Sequence, residues 1–350
     1  MMTFEEFAKK LQEELGKKLE NAGVRILIQK VQENNGSDTY ALIIKNDVFN
    51  ISPMIRLQNF YQEYQEGRVL SNIVENIRKI YREHTPVENF DISKVMDFEK
   101  AKENIVARLY GTENNAAFLE GKAYTEVEDL VVTYHIHLGY EDGCFKSVPV
   151  TKEWMESVGV TTEEIHALAM KNTQRIFPAT FKSMSDMMCE LMREDIMKEF
   201  EISEQEADEL IQSTYDDNHF MYILSNPIQS FGAISILQPE VMDMVAKQVG
   251  DKFYVIPSSI HECIIVPFID QFSAKELEFW VKDVNLTHVP ENEILSWHMY
   301  QVDAKNHVFL RCDRAKEYEQ ELKLQEQSKK EEPERKQEKD EKKLLSGPKI

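Results

Sequence analysis

The segment that organises this chain is Phe253–Phe268, FYVIPSSIHECIIVPF, the most apolar and strand-like passage in its 350 residues. Two short apolar runs flank a polar centre, and the Pro-Ser-Ser sequence at that centre is typical of a turn between strands. In the first run, Phe253 and Val255 alternate with Tyr254 and Ile256, so both faces of the predicted strand are apolar. Strands that are covered on both faces show this pattern. We therefore predict that the segment forms the centre of the main sheet.

The polar centre of this segment also concentrates side chains of the nucleophile and base types, namely Ser258, Ser259, His261, Glu262 and Cys263. A hydrolase needs a nucleophile, a base and a group that orients the base, all within hydrogen-bonding reach. Neighbours on a tight turn rarely point at one another, and the small residues that bracket a nucleophile elbow are absent. The sequence therefore favours a structural turn whose hydroxyls bond the backbone. A hydrolase that uses Ser259, His261, Glu262 and Cys263, with His135 or His298 brought in by the fold, is the alternative.

A second candidate site is the pair His135 and His137, on a strand predicted over residues 130–138. Residues i and i+2 share one face of a strand, so both imidazoles could reach one metal ion. Asp142 and Cys144 would complete a ligand set only if the chain folds back. Two exposed histidines on the polar face of a half-buried strand is the simpler interpretation, and a metal site is the alternative. Because the sequence contains no GxGxxG, P-loop or HExxH motif, we predict no cofactor.

The charge distribution bears on the class of partner. The net charge is −21, and the segment from Asp313 to the end is neutral, with 11 basic and 11 acidic residues. The first 312 residues therefore carry the whole excess of acid. Such a surface repels nucleic acid and anionic lipid, because binding to either depends on basic side chains. Four widely spaced cysteines and a charged N-terminus without an apolar signal core favour reduced thiols and a cytoplasmic location.

The order of elements predicts an α+β fold, with antiparallel or mixed sheets, flanking helices and two domains. Residues 1–110 are predicted to form a helix–meander–helix unit, with a hairpin turn at Asn34-Asn35-Gly36-Ser37-Asp38. Residues 111–312 are predicted to form a larger α+β domain, and residues 313–350 a charged tail that is disordered or helical. Individual predictions include strands over residues 48–51 and 231–236, a helix over 97–109, and capping boxes at Thr3/Glu6 and Thr161/Glu164.

Methionine is concentrated in one predicted helix, since six of the 15 methionines lie between Met170 and Met197. The spacing of Met184, Met187, Met188 and Met192 is ordinary for the core face of a helix. Methionine-rich surfaces can also act as adaptable peptide-binding sites. The sequence favours the core interpretation, and it offers this helix as its best indication of a protein-binding surface.

Three phrases of the sequence are similar to an uncharacterised bacterial family that is known only as a domain of unknown function. They are NISPMIRLQNFYQEYQEG (50–67), SNPIQSFGAISILQPEVMDMVAKQVGDKFYVIPSSIHECIIVP (225–267) and VNLTHVPENEILSW (284–297). The resemblance implies an origin in gut-type Gram-positive anaerobes, often on mobile genetic elements. It implies no activity, cofactor or catalytic residue, and it does not include the C-terminal tail.

These observations lead us to expect a cytoplasmic protein-interaction or accessory protein without catalytic activity, linked to a mobile genetic element. We expect an unidentified protein partner, and neither nucleic acid nor membrane. The sequence makes no prediction of oligomeric state.

Overall fold

A computed structural model describes residues 2–36, 38–52, 54–85, 88–141, 144–214, 221–268 and 274–324. The α-helices are α1 (Phe4–Leu19), α2 (Gln58–Gln65), α3 (Leu70–His84), α4 (Ser93–Met96), α5 (Phe98–Ala101), α6 (Ala116–Leu119), α7 (Lys152–Val158), α8 (Thr162–Ile176), α9 (Met184–Phe200), α10 (Glu204–Thr214), α11 (Pro239–Val249) and α12 (Ala274–His288). A further helical stretch covers residues 315–324.

The strands are β1 (Val24–Gln32), β2 (Asp38–Asn46), β3 (Met54–Arg56), β4 (Ile105–Gly111), β5 (Tyr124–Val127), β6 (Leu130–Glu141), β7 (Cys144–Pro149), β8 (Thr180–Ser183), β9 (Tyr222–Ser225), β10 (Lys252–Ile256), β11 (Cys263–Pro267), β12 (Tyr300–Asp303) and β13 (Val308–Arg311). They form sheets with the orders β1-β2-β3, β4-β6-β5 with β7 also on β6, and β13-β12-β10-β11-β9-β8. Every strand pair among the described residues is antiparallel. The predicted α+β class, with antiparallel sheets, is confirmed.

The chain folds into two compact units. The first contains residues 1–178 together with 289–296, and the second contains 179–288 together with 297–350. The sequence placed a domain boundary at residue 110, which lies inside β4. The two compact units divide after Pro178, and the short segment 289–296 belongs to the first unit.

The first unit begins with the predicted helix and meander. The Thr3/Glu6 capping box is present at the start of α1, and β1 and β2 form a hairpin at Asn34–Gly36. The side chains of Phe7, Leu11 and Leu15 are fully buried. They form one core with residues of β2 and α3, for which burial of apolar area is the driving force. Asn34 and Asn35 also donate side-chain hydrogen bonds to the carbonyl oxygen of Ile294, at 3.2 and 2.8 Å.

The second sheet of this unit is centred on β6, which pairs with β4, β5 and β7. Helix α8 begins at the predicted Thr161/Glu164 capping box. Its Thr173 accepts a hydrogen bond from the backbone of Ala107 on β4, at 2.8 Å, and this contact places α8 on one face of the sheet.

In the second unit, the Phe253–Phe268 segment forms the two central strands of its six-stranded sheet, as predicted. Tyr254, Ile256, Ile264 and Val266 pack with Val281 of α12 on one face. The side chains that alternate with them, Phe253, Val255, Cys263 and Ile265, are also fully buried. The segment therefore contributes to the core from both faces.

Three individual element predictions are wrong. Residues 231–236, predicted as a strand, lie almost wholly in a 3-10 helix, Gly232–Leu237. Residues 105–109, predicted as the end of a helix, belong to the buried strand β4, and residues 48–51 form a turn rather than a strand. Short apolar runs carry no periodicity that separates a buried strand from a helical turn, which explains these errors.

Among the described residues, no helix has the length and apolar character that crossing a membrane requires. Asp142 and residues 325–350 of the predicted tail lie outside the described residues.

Candidate functional site

The Ser258–Cys263 turn is held together by hydrogen bonds between its side chains and the backbone. Ser259 Oγ accepts a hydrogen bond from the backbone N–H of His261, at 3.1 Å. His261 Nδ1 accepts another from the backbone N–H of Phe231, at 3.1 Å. Both Ser258 and Ser259 are buried. The geometry thus places Ser259 and His261 together, but it joins them through the main chain rather than as nucleophile and base.

A second loop, residues 225–232, packs against this turn. The carbonyl oxygen of His261 accepts hydrogen bonds from Ser225 Oγ at 2.8 Å and from the Gly232 N–H at 3.0 Å. Within the loop, Asn226 Oδ1 accepts from the backbone N–H groups of Ile228 and Ser230. Gln229 and Phe231 have positive φ values of 49° and 54°, a conformation that L-residues adopt at an energetic cost. His261 therefore connects the two loops through its ring and its carbonyl.

Burial raises the pKa values of Glu262 and Cys263, the two residues that follow His261 in the sequence. Desolvation raises the pKa of the Cys263 thiol far above its usual range, and the negative charge of Glu262 adds to the effect. The pKa of Glu262 is itself raised by desolvation. Since the thiolate is the reactive form of cysteine, Cys263 is a poor nucleophile at neutral pH. Its Sγ lies 3.9 Å from the carbonyl oxygen of Ala233, in the apolar core.

The two histidines of β6 have different surroundings. His135 is buried, and its Nε2 forms a 3.1 Å hydrogen bond with Thr133 Oγ1. His137 lies beside the rings of Phe145 and Phe177, with ring centroids 5.9 and 5.1 Å away. Its Nδ1 is a buried atom without a hydrogen-bond partner among the described residues.

Electrostatics around His135 oppose the binding of a cation. Desolvation and the positive charges of Arg108 and Lys122 hold its pKa well below the usual value, so the ring is neutral at pH 7. Desolvation and the same Arg108 charge lower the pKa of His137. Within the part of the chain that the structure describes, no three His, Cys, Asp or Glu side chains come together as potential metal ligands.

Sequence reasoning missed a polar chain on the opposite face of β6. The hydroxyl of Tyr134 lies 3.1 Å from His166 Nδ1 on α8, and it also bonds Thr125 Oγ1 at 2.5 Å. Burial raises the pKa of Tyr134 and lowers that of His166. The histidine lies on a separate helix, 32 residues away from Tyr134 in sequence. No local pattern could have indicated that contact.

The methionine-rich helix α9 differs most from its predicted core role. No side chain that is described on this helix is fully buried. Met184 packs partly against the core of the second unit, whereas Met188 is 41% exposed and Phe200 is 61% exposed. Met192 is half-buried. Spacing of four residues places Met184, Met188 and Met192 in one row along the helix.

Helix α10 packs against α9 to form a hairpin. Arg193 on α9 forms an ion pair with Asp208 on α10 at 2.5 Å, and lies 3.9 Å from Glu204. On α10, Ala207 and Ile211 are buried, whereas Leu210 is 50% exposed. We call residues 184–214 the α9–α10 hairpin. It combines exposed apolar side chains with a surface that is rich in carboxylates.

Comparison with known proteins identifies a family but no characterised relative. A family model described as a family of unknown function (DUF5688) matches residues 4–303. No curated protein and no solved structure matches the chain.

Proposed function

This chain belongs to the DUF5688 family of unknown function, and we propose that it is a protein-interaction or accessory protein that works without catalysis. The proposal concerns the second compact unit, in which the α9–α10 hairpin exposes the apolar side chains of Met188, Phe200 and Leu210 to solvent.

The observation that carries this proposal is the exposure of Met188 on α9. A helix whose methionines served the core would bury them, but Met188 is 41% exposed and Met192 is only half-buried. Methionine has an unbranched, polarisable side chain that adapts to different partners at little cost. Phe200 and Leu210, at 61% and 50% exposure, add further apolar surface to the hairpin. Contiguous exposed apolar surface is typical of protein-binding sites, and we propose that these side chains contribute to one.

The arrangement of the Ser258–Cys263 turn also supports a role without catalysis. Ser259 and His261 use their side chains to bond the backbone, and the Cys263 thiol has a raised pKa. A hydrolase centred on Ser259, His261, Glu262 and Cys263 would need the serine hydroxyl or the thiol to be activated by the imidazole. The hydrogen bonds at this turn favour a structural role for the same residues.

We further infer that the protein acts in a bacterial cytoplasm and is linked to a mobile genetic element. Three of the four cysteines, Cys189, Cys263 and Cys312, are free thiols, as is usual in a reducing compartment. The link to bacteria and mobile elements rests on the resemblance of residues 50–67, 225–267 and 284–297. Fractionation of a native host, with detection of the protein in the membrane or secreted fraction, would contradict the cytoplasmic assignment.

The experiment that tests the proposed function is affinity capture with the full-length chain at about 0.15 M salt, where long-range surface attraction is screened. We expect the wild-type chain to retain a stable partner from a host extract. A variant that carries both Met188→Ser and Met192→Ser should lose this partner, because it loses the apolar contact surface.

The matched control carries Met188→Leu and Met192→Leu, which keep the apolar volume and should keep the partner. Retention by the serine variant, or no stable partner for the wild-type chain in any extract, would refute an interaction role for this surface. Turnover of an ester or peptide substrate that is abolished by Ser259→Ala would instead establish the hydrolase alternative.

A further inference from the structure

The charge of the α9–α10 hairpin is strongly one-sided. Between Met184 and Thr214 the sequence has ten acidic residues and two basic residues. Both basic side chains lie on α9, and one of them, Arg193, is already paired with Asp208. Asp195 and Glu199 are exposed on the same helix. The exposed Met188 therefore lies on a helix whose own side chains carry a strongly negative charge.

We propose that the α9–α10 hairpin binds a basic amphipathic helix of a partner protein. This inference rests on the proposed interaction function and specifies the chemistry of the partner. An apolar stripe on the partner helix would pack on Met188 and Met192, and lysines or arginines beside that stripe would face the surrounding carboxylates. Docking of an amphipathic helix on an apolar surface is a recurrent mode of peptide recognition.

The dimensions of α9 fit this mode of binding. The helix has 17 residues, and at about 1.5 Å per residue it is about 25 Å long. Its row of methionines follows the spacing of four residues, so a partner helix can contact the row through side chains at positions i, i+3, i+4 and i+7. The flexible methionines can accommodate partner side chains of different shapes.

The negative charge of the α9–α10 hairpin favours a basic partner helix over a second copy of this chain. Two copies of the hairpin that met face to face would bring two strongly acidic surfaces together, and like charges at close range are destabilising. A basic helix reverses the sign of this interaction. Charge complementarity of this type increases association rates and selects between partners.

The test uses a fluorescently labelled synthetic peptide of about 18 residues, long enough for a helix to form on a surface. It consists of leucine and lysine, with the leucines on one helical face. A second peptide has the same composition in an order without an apolar face, and a third replaces every lysine with glutamate. Fluorescence anisotropy with the full-length protein measures the dissociation constant of each peptide.

We expect only the leucine–lysine amphipathic peptide to bind, and to bind more weakly as salt increases. Met188→Ser combined with Met192→Ser should weaken binding by about tenfold or more, because contacts at the centre of an interface dominate its affinity. Met188→Leu combined with Met192→Leu should stay within about threefold of the wild type, since the apolar surface is retained.

Two double charge reversals test whether the basic peptide is attracted by the carboxylates of α9 or by the net negative charge of the whole protein. Asp195→Lys with Glu199→Lys should weaken binding by about tenfold, because these carboxylates lie on α9. Glu20→Lys with Glu66→Lys makes the same change in net charge at exposed sites in the first unit, and should change binding by less than about threefold.

Equal effects of the two charge pairs, or equal binding of all three peptides, would overturn the inference. A concentration-dependent dimer that the serine variant abolishes would overturn it in favour of a second copy. If full-length protein captures a partner through Met188 but does not bind the leucine–lysine peptide, only the basic-helix inference fails. If the full-length wild-type protein also captures no partner, the proposed function fails with it.

Discussion

The backbone N–H of Phe231 donates a hydrogen bond of 3.1 Å to Nδ1 of His261. This contact joins a residue with positive φ to the turn at the centre of the six-stranded sheet. It also assigns the proton of a neutral imidazole to Nε2. This hydrogen bond gives His261 a structural role, although the residue lies among the candidate catalytic side chains Ser259, Glu262 and Cys263.

We therefore expect His261→Ala to lower the free energy of unfolding by about 1–3 kcal/mol, because the partly buried N–H of Phe231 loses its acceptor. His261→Asn keeps an acceptor near the position of Nδ1 and should recover part of this loss. Denaturant unfolding of the two variants measures the difference. Equal stability of the alanine variant and the wild type would show that the hydrogen bond is not structurally important.

Gly232 provides a second test of the same contact between loops. A Cβ atom at this position would lie 2.6 Å from Ser225 Oγ, 2.7 Å from the carbonyl oxygen of His261 and 2.8 Å from Ser225 Cα. Two of these atoms belong to the backbone, which cannot move away cheaply. We expect Gly232→Ala to destabilise the protein by about 1–3 kcal/mol, as overpacking of a close contact does.

The matched control for that substitution is Gly16→Ala in α1, where an added Cβ would have no atom within 4 Å apart from the local backbone of the helix and the adjacent residues. Because alanine favours a helix more than glycine does, this change should raise stability by about 0.5–1 kcal/mol. Thermal unfolding of both variants measures whether Gly232→Ala lowers the stability and Gly16→Ala raises it. Similar behaviour of the two alanine variants would contradict the close packing at Gly232.

The thiols should differ in their reactivity. Burial raises the pKa of Cys263 beyond its usual range and that of Cys312 to about 12, whereas Cys189 is partly exposed. Alkylation requires the thiolate, so at about pH 8 iodoacetamide should modify Cys189 before the other two in the folded protein. Peptide mass spectrometry after brief labelling measures this order, and labelling in denaturant provides the control. Fast modification of Cys263 in the folded state would support a nucleophilic role.

His135 should make the protein sensitive to acid. Its folded-state pKa lies well below 6.5, so below pH 6.5 the unfolded chain takes up a proton that the folded protein does not. Stability should therefore fall as the pH decreases from about 6.5, the usual pKa of histidine. His135→Asn should reduce this dependence, whereas His84→Asn, at an exposed site, should leave it unchanged. Denaturation midpoints at about pH 7.5 and about pH 5.5 measure the effect.

The candidate site shows the limit of reasoning from adjacent residues. Ser259, His261 and Cys263 are close in sequence, and the structure directs them to the backbone, the neighbouring loop and the core. Conversely, Tyr134 and His166 lie 32 residues apart and are joined by a hydrogen bond. Sequence proximity could not reveal either outcome, because side-chain direction depends on the packing of whole elements.

The sequence alone determined the centre of the larger sheet, the hairpin turn at Asn34–Gly36, and the helix starts at Thr3 and Thr161. Each depends on local chemistry: two-sided apolar alternation, turn residues, and reciprocal capping by Thr and Glu. These signals lie within a few residues of the elements they specify.

Only the tertiary structure decided that residues 289–296 join the first unit, that residues 232–237 form a 3-10 helix, and that Met188 of α9 reaches the surface. Met188 has the helical spacing of a core residue, but its exposure depends on which elements pack against α9. Asn34 similarly bonds the carbonyl oxygen of Ile294 across 260 residues of sequence. Burial and long-range hydrogen bonding are properties of the assembled chain, so no local pattern contains them.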